Sequence, residues 1–270
     1  MAAADRRARL EVAMAAAREA GRILAERFHR KRTVAHKGAI DLVTDADTAA
    51  EEAILRVIRE RFPDHAILAE ESGAQGTSDI RWIVDPLDGT TNYAHGVPQF
   101  AVTIGCEAEG VVDVGVIYDP MRDELFWAVR GEGAFLNGEP IGVSSTARLE
   151  DAILCTGFPY WIHENFEKPL ALFGAYLRRV QAVRRYGAAA IDLAWLACGR
   201  FDGFFELGLK PWDVAAGVLL IEEAGGVVTH LDGSPMRLDG GQILAAPPRL
   251  HPALLEIARE IGPVPLGPAR

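Results

Sequence analysis

The chain reads as a mixed α/β protein of stacked layers, an α+β half followed by an α/β half, and three observations say so. Helical periodicity dominates the first 62 residues. β-Branched and aromatic runs separated by turn residues dominate residues 80 to 156, and helices alternate with short strands from there on. A chain of 270 residues holds one large domain or two fused halves sharing a core. The halves are drawn at 1–150, with a large antiparallel sheet, and 151–270, as parts of one compact unit.

Residues 8 to 29 carry Leu10, Ala13, Ala17, Ala20 and Leu24 at helical spacing. A basic loop to Lys37 follows, then Asp41-Leu42-Val43-Thr44. Thr44 or Asp45 caps a second helix through Ala53, Ile54, Val57 and Ile58 to Phe62. The run Ala66-Ile67-Leu68-Ala69 leads into Glu70-Glu71-Ser72-Gly73. Strands are expected at 101–107, 111–118 and 124–129, with tight turns at Gly131, Gly133, Asn137 and Gly138. Helices return at 165–180, 188–198 and 212–224, the last closed by Gly225-Gly226. Short strands at 227–231 and 243–246 and a helix at 251–261 complete the order, and the Pro- and Gly-rich tail from Gly262 is expected to fray.

Composition narrows the function. A hydrophobic content of 49% with 24% charged residues is that of an ordinary soluble protein. The net charge of −10 argues against nucleic acid as the main partner, because phosphate backbones repel an acidic surface. Cys106, Cys155 and Cys198 lie far apart with no metal or redox spacing, which fits thiols in a reducing cytosol. The apolar run from Val214 to Ile221 is too short to span a bilayer. A soluble, cytoplasmic protein is expected.

The chemistry concentrates in Trp82-Ile83-Val84-Asp85-Pro86-Leu87-Asp88-Gly89-Thr90-Thr91-Asn92. An apolar strand delivers two aspartates into a Gly-Thr turn. If a helix begins there, Asp85, Asp88 and the Leu87 carbonyl converge on one cavity. The N–H groups of Gly89 and Thr90 then face an anion. Asp-Pro-x-Asp-Gly by itself is equally a plain turn sequence, since all its residues are turn formers. Asp213, in Pro211-Trp212-Asp213, stands at a helix start, where Asp is commonly a cap. Glu70, Asp85, Asp88 and Asp213 nevertheless all sit at junctions between elements and loops, where site residues concentrate. His36, His95 and His230 are read as surface or core residues.

These residues strongly resemble the inositol monophosphatase family of magnesium-dependent, lithium-sensitive phosphatases, which also includes fructose bisphosphatase. The resemblance runs from Asp41-Leu42-Val43-Thr44-x-x-Asp47 through Glu70-Glu71 and both Asp motifs to Glu222-Glu223-Ala224-Gly225-Gly226. It implies a layered αβαβα sandwich of the sugar phosphatase type and a homodimer. It also implies two or three Mg²⁺ ions per site: Glu70, Asp85 and the Leu87 carbonyl hold one, and Asp85, Asp88 and Asp213 hold a second. Asp47, Glu70 and Thr90 are implied as catalytic, with Thr90 and Asp47 orienting the attacking water. Leu87, Asp88, Gly89, Thr90 and Asp213 border the substrate, with the Gly89 and Thr90 N–H groups on its phosphate. Such ions would activate that water and stabilise the leaving alkoxide, and would offset the negative charge of site and substrate.

On the alcohol side, the resemblance implies Glu206 against ring hydroxyls, Arg184 as a further substrate contact, and Ala188 and Ala189 as a close-packed wall. Two departures stand out: Phe158 follows Gly157 where animal members often carry Ser, and the spacing of Lys37 to Asp41 varies in the family. The expected substrate is myo-inositol monophosphate or another small sugar or polyol phosphate, without membrane involvement. Fructose bisphosphate, histidinol phosphate and nucleotides are the alternatives within the fold, and a phosphatase-like regulatory binding protein is the alternative outside enzymology.

Overall fold

The computed structural model describes residues 2–29, 34–36 and 42–264. Lys37, Asp41 and residues 265–270 of the tail lie outside the described residues. The elements run α1 (Ala2–Phe28), β1 (Val34–His36), β2 (Leu42–Thr44), α2 (Asp45–Arg61), β3 (Ala66–Ala69), β4 (Gly73–Gln75), β5 (Ile80–Asp88) and α3 (Thr90–Ala94). A meander follows: β6 (Ala101–Ala108), β7 (Val111–Asp119), β8 (Glu124–Val129), β9 (Gly133–Leu136) and β10 (Glu139–Ile141). Then come β11 (Ile153–Thr156), α4 (Glu167–Leu177), β12 (Ala182–Arg184), α5 (Ala189–Ala197), β13 (Gly203–Leu207), α6 (Pro211–Glu223), β14 (Val227–Thr229), β15 (Gln242–Ala246) and α7 (His251–Ile261).

Five layers result. α1 and α2 cover one face of an eight-stranded sheet ordered β10-β9-β8-β7-β6-β5-β3-β4. Ala13, Ala16, Ala17 and Ala20 of α1 are wholly buried there, so the predicted helical stripe is the packing face. α5 and α6 fill the space between this sheet and a five-stranded one ordered β12-β11-β13-β15-β14. α4 and α7 cap the outer face of the second sheet. In the first sheet β5 to β10 pair antiparallel throughout, and β3 joins β5 in parallel. The second sheet is mixed: β11 is parallel to β12 and β13, while β15 runs antiparallel to β13 and β14.

α6 approaches the first sheet closely because β6 and β7 lack side chains where it crosses. A Cβ on Gly105 would stand 2.9 Å from the Ala215 Cβ, and one on Gly115 would stand 3.0 Å from the Ala216 Cα. The turn residues Gly131, Gly133, Asn137 and Gly138 all take positive φ, as turn chemistry requires. In the tail expected to fray from Gly262, Val264 packs against the apolar cluster under α4 and α7. No helix among the described residues is long and apolar enough to cross a membrane. Cys106 and Cys155 are buried, Cys198 is half-buried, and all three are free.

Candidate active site

β5 delivers the centre of the site. Trp82, Ile83 and Val84 are fully buried and fix the strand between β3 and β6. Its register with β6 then breaks between Asp85 and Asp88, and a bulge of this kind re-aims side chains. Asp85 Oδ1 accepts the Leu87 N–H at 2.8 Å. Gly89 takes φ 94°, and a Cβ there would stand 2.9 Å from the Gln99 carbonyl oxygen. Conformation and space both demand glycine at this position. α3 begins on the next residue.

α2 supplies two carboxylates behind this turn. Thr44 caps the helix: its hydroxyl accepts the Ala46 N–H at 3.2 Å and donates to Asp47 Oδ2 at 2.6 Å, while its own N–H donates to the same oxygen at 2.8 Å. The other oxygen, Asp47 Oδ1, stands 3.2 Å from the buried Thr90 hydroxyl, which also lies 3.0 Å from the Leu87 carbonyl oxygen. A hydroxyl has one proton, so it serves one of these acceptors at a time. One turn further along, Glu51 Oε2 and Oε1 accept the N–H groups of Glu71 and Ser72, each at 2.9 Å. That grip fixes the turn carrying Glu70, whose N–H donates to the Val84 carbonyl at 3.0 Å.

The second sheet and its helices close the site from the other side. Asp213, in the first turn of α6, accepts the Lys210 N–H at 2.7 Å. Asp88 Oδ2 accepts the Ala190 N–H at 2.7 Å, so the start of α5 is bonded to the end of β5. Glu70, Asp85, Leu87, Asp88, Gly89, Thr90, Ala189, Glu206 and Asp213 all line one cavity of about 250 Å³. Glu206 lies against bare backbone: a Cβ on Gly157 would stand 2.1 Å from Glu206 Oε1.

Two nominated residues stand elsewhere. Asp47 is fully buried behind the cavity and reaches it through Thr90. Arg184 is exposed, its guanidinium turned to the Val183 carbonyl at 3.3 Å, and does not line the cavity. Arg185 does, together with Phe158. Adjacent residues at a strand end point in opposite directions, so Arg184 and Arg185 meet different surroundings. The sequence reading missed Glu51, Arg185 and Asp192. Asp192, in the first turn of α5, is 1% exposed with Oδ1 unpaired among the described residues, beside the Cys155 thiol. A lone Glu in a helix gives no local signal of its role, and Arg185 differs from Arg184 only in position.

The acids suppress one another's ionisation. Burial, then the charges of Glu70, Asp88 and Asp213, hold the Asp85 carboxyl well above its usual range. Burial pushes Asp88 up to about 7, against the pull of the Ala190 N–H. Asp213 rises through burial and then Asp88, and Glu206 through burial and then Asp192. Burial also raises Asp47, although its bonds from Thr44 and Thr90 work the other way.

Among the described residues no three such side chains stand at the spacing of a preformed ligand cluster. Asp85, Asp88 and Asp213 are each steadied by a backbone N–H on one oxygen. Several carboxylates raised by burial and then by one another's charge in one cavity, with a backbone carbonyl among them, fit a hard divalent cation that would relieve both.

A five-layer αβαβα protein with an acid-walled cavity at the end of its central strand and the starts of the helices between its sheets belongs with the phosphatase folds. The chain is a member of the inositol monophosphatase family, whose model matches residues 5–262. It is 44% identical over 258 residues to the Nus factor SuhB of Pasteurella multocida, covering 94% of this chain and 96% of that protein. An inositol monophosphatase structure from Anabaena superposes with a TM-score of 0.87 at 45% identity, covering 96% of this chain and 97% of the other. The extragenic suppressor protein suhB of Bartonella henselae gives a TM-score of 0.91 at 40% identity, covering 94% and 99%.

Proposed function

We propose that the protein is a Mg²⁺-dependent phosphomonoesterase that hydrolyses myo-inositol monophosphate to inositol and inorganic phosphate. The observation that carries this reading is the single cavity that brings Glu70, Asp85, Asp88 and Asp213 together with Gly89 and Thr90 on one side and Glu206 on the other. Glu70, Asp85, Asp88, Asp213 and the Leu87 carbonyl would hold two or three Mg²⁺ ions, which when bound supply Lewis-acid activation of water and stabilisation of the departing alkoxide.

The protein's own groups do the rest. The Gly89 turn and the start of α3 present backbone N–H groups to the phosphate. The Thr90 hydroxyl orients the attacking water, and Asp47, raised by burial yet held by Thr44, takes the Thr90 proton into its hydrogen bond. Glu206 accepts from hydroxyls of the alcohol, and Ala189 and Arg185 bound the space that alcohol fills. The same reading extends to lithium sensitivity and to a cytoplasmic homodimer.

The Anabaena and Bartonella likenesses support the fold of the reading; the alcohol rests on Glu206. Phosphate release from inositol monophosphate, fructose bisphosphate and histidinol phosphate on one preparation tests it. Release that requires Mg²⁺, is suppressed by Li⁺ and is most efficient with the inositol ester is the expected result. A markedly higher kcat/KM for another ester displaces the substrate. No release from any ester leaves a second reading, a phosphatase-like binding protein, which the name Nus factor on the Pasteurella relative favours.

A further inference from the structure

Asn92 closes the Asp-Gly-Thr-Thr-Asn motif, yet neither the cation ligands nor the phosphate cradle uses it. Its Nδ2 has three carbonyl oxygens in reach: Gln99 at 2.8 Å, Tyr186 at 2.8 Å and Gly187 at 3.2 Å. All three neighbours are acceptors, so the amide nitrogen must face them; the flipped amide would set oxygen against oxygen. Two of its partners are 94 and 95 residues away in sequence. A local turn cap would need Gln99 alone.

The distant pair belongs to the turn between β12 and α5. That turn carries Arg185 and Gly187, and leads to Ala189 and Ala190 at the start of α5, where the Ala190 N–H holds Asp88. Gly187 takes φ 79°, and a Cβ there would stand 2.3 Å from Arg185 Nη1 and 3.5 Å from Asn92 Nδ2. The Arg185 guanidinium therefore folds over the bare glycine next to the amide. On the near side, Gln99 O stands against Gly89. One neutral amide thus ties the floor of the phosphate cradle to the wall facing the alcohol. Another tie across this gap, Asp88 to Ala190, uses a carboxylate that a bound cation would also claim, whereas the Asn92 amide carries no charge.

We infer that Asn92 is a positioning residue that fixes the distance between the phosphate cradle and the alcohol-facing wall, and so sets how strictly the site discriminates among alcohols. This rests on the phosphatase reading above. The test compares the full-length wild type with Asn92→Ala and Asn92→Asp, the latter of nearly the same shape but with oxygens against the carbonyls. Kinetics are taken with inositol monophosphate and with p-nitrophenyl phosphate, whose aryl group offers no hydroxyls to Glu206. Backbone hydrogen exchange at residues 187–190 is measured with and without Mg²⁺.

The expected result is a rise of about 10-fold in KM for the inositol ester, a several-fold smaller loss with the aryl ester, and faster exchange at 187–190 in both metal states. Equal losses on both esters, or unchanged exchange in both variants, overturn the proposal. If the wild type hydrolyses neither ester, the phosphatase reading falls, and exchange alone decides whether Asn92 holds the two walls together.

Discussion

The two walls of the cavity are built on different plans. On the side proposed to hold the phosphate, Asp85, Leu87, Asp88, Gly89 and Thr90 are near neighbours in sequence on one buried strand and the turn after it, backed by a single helix. On the side proposed to face the alcohol, Arg185, Ala189 and Glu206 come from three separate places: a turn, a helix start and a short strand. A compact segment on a central strand tolerates little adjustment, whereas scattered residues can be exchanged one at a time. The first plan suits chemistry common to every ester; the second suits selection among alcohols.

The sharpest way to break this contrast is Asp85→Asn. Losses at hydrogen-bonded partners of ligands run about 10- to 100-fold, so loss of a carboxylate implied to bridge two ions should exceed about 100-fold for every ester alike. Near-normal turnover of that variant at millimolar Mg²⁺ would remove the phosphate wall from the account. Next in size, Glu206→Gln, which replaces one acceptor oxygen by a donor, should lower kcat/KM about 10-fold for polyol esters, the worth of about one hydrogen bond. An aryl ester assayed alongside should change far less; a uniform loss would assign Glu206 to the phosphate side.

Glu51→Gln sharpens the picture from behind. It keeps one acceptor for the Glu71 and Ser72 N–H groups and should cost about 10-fold in apparent Mg²⁺ affinity, read by titrating activity or binding against Mg²⁺. No change in the titration would mean that the Glu70 turn holds itself.

The smallest effect concerns stability. Asp88 stands at about 7 in the fold against an ordinary 3.8. Its protonated form is favoured by folding, so the metal-free protein should be most stable below about pH 4 with respect to this group and lose that share as pH rises toward about 7. Cations reverse the repulsion. The melting temperature in a chelator should therefore fall between pH 5 and pH 7.5 relative to the Mg²⁺-loaded protein, by several degrees. A constant difference across that range contradicts the assignment of Asp88 to the cation site.

How much was legible beforehand follows the same division. Trp82 to Asn92 could be read directly, because strand, bulge, turn and helix start are all local and each has a residue signature. Asp213 and Glu70 were legible because Pro-Trp-Asp and Glu-Glu-Ser-Gly mark the ends of elements. Arg184 was named by resemblance alone; that its neighbour Arg185 is the one lining the cavity has no local signature, since the two arginines differ only in position. Glu51 and the long-range partners of Asn92 were out of reach: their roles exist only once residues 20 and more than 90 positions apart are brought together.

α2 has a mechanical consequence. Its first two turns carry both Asp47, which steers Thr90, and Glu51, which steers the Glu70 turn. The helix is thus a rocker with two attachments on one arm, and it packs along α1. A tilt too slight to disturb the core would slacken both attachments together. Enlarging a small residue where α1 and α2 pack, far from the cavity, would then act as a dimmer on the whole wall proposed to hold the phosphate.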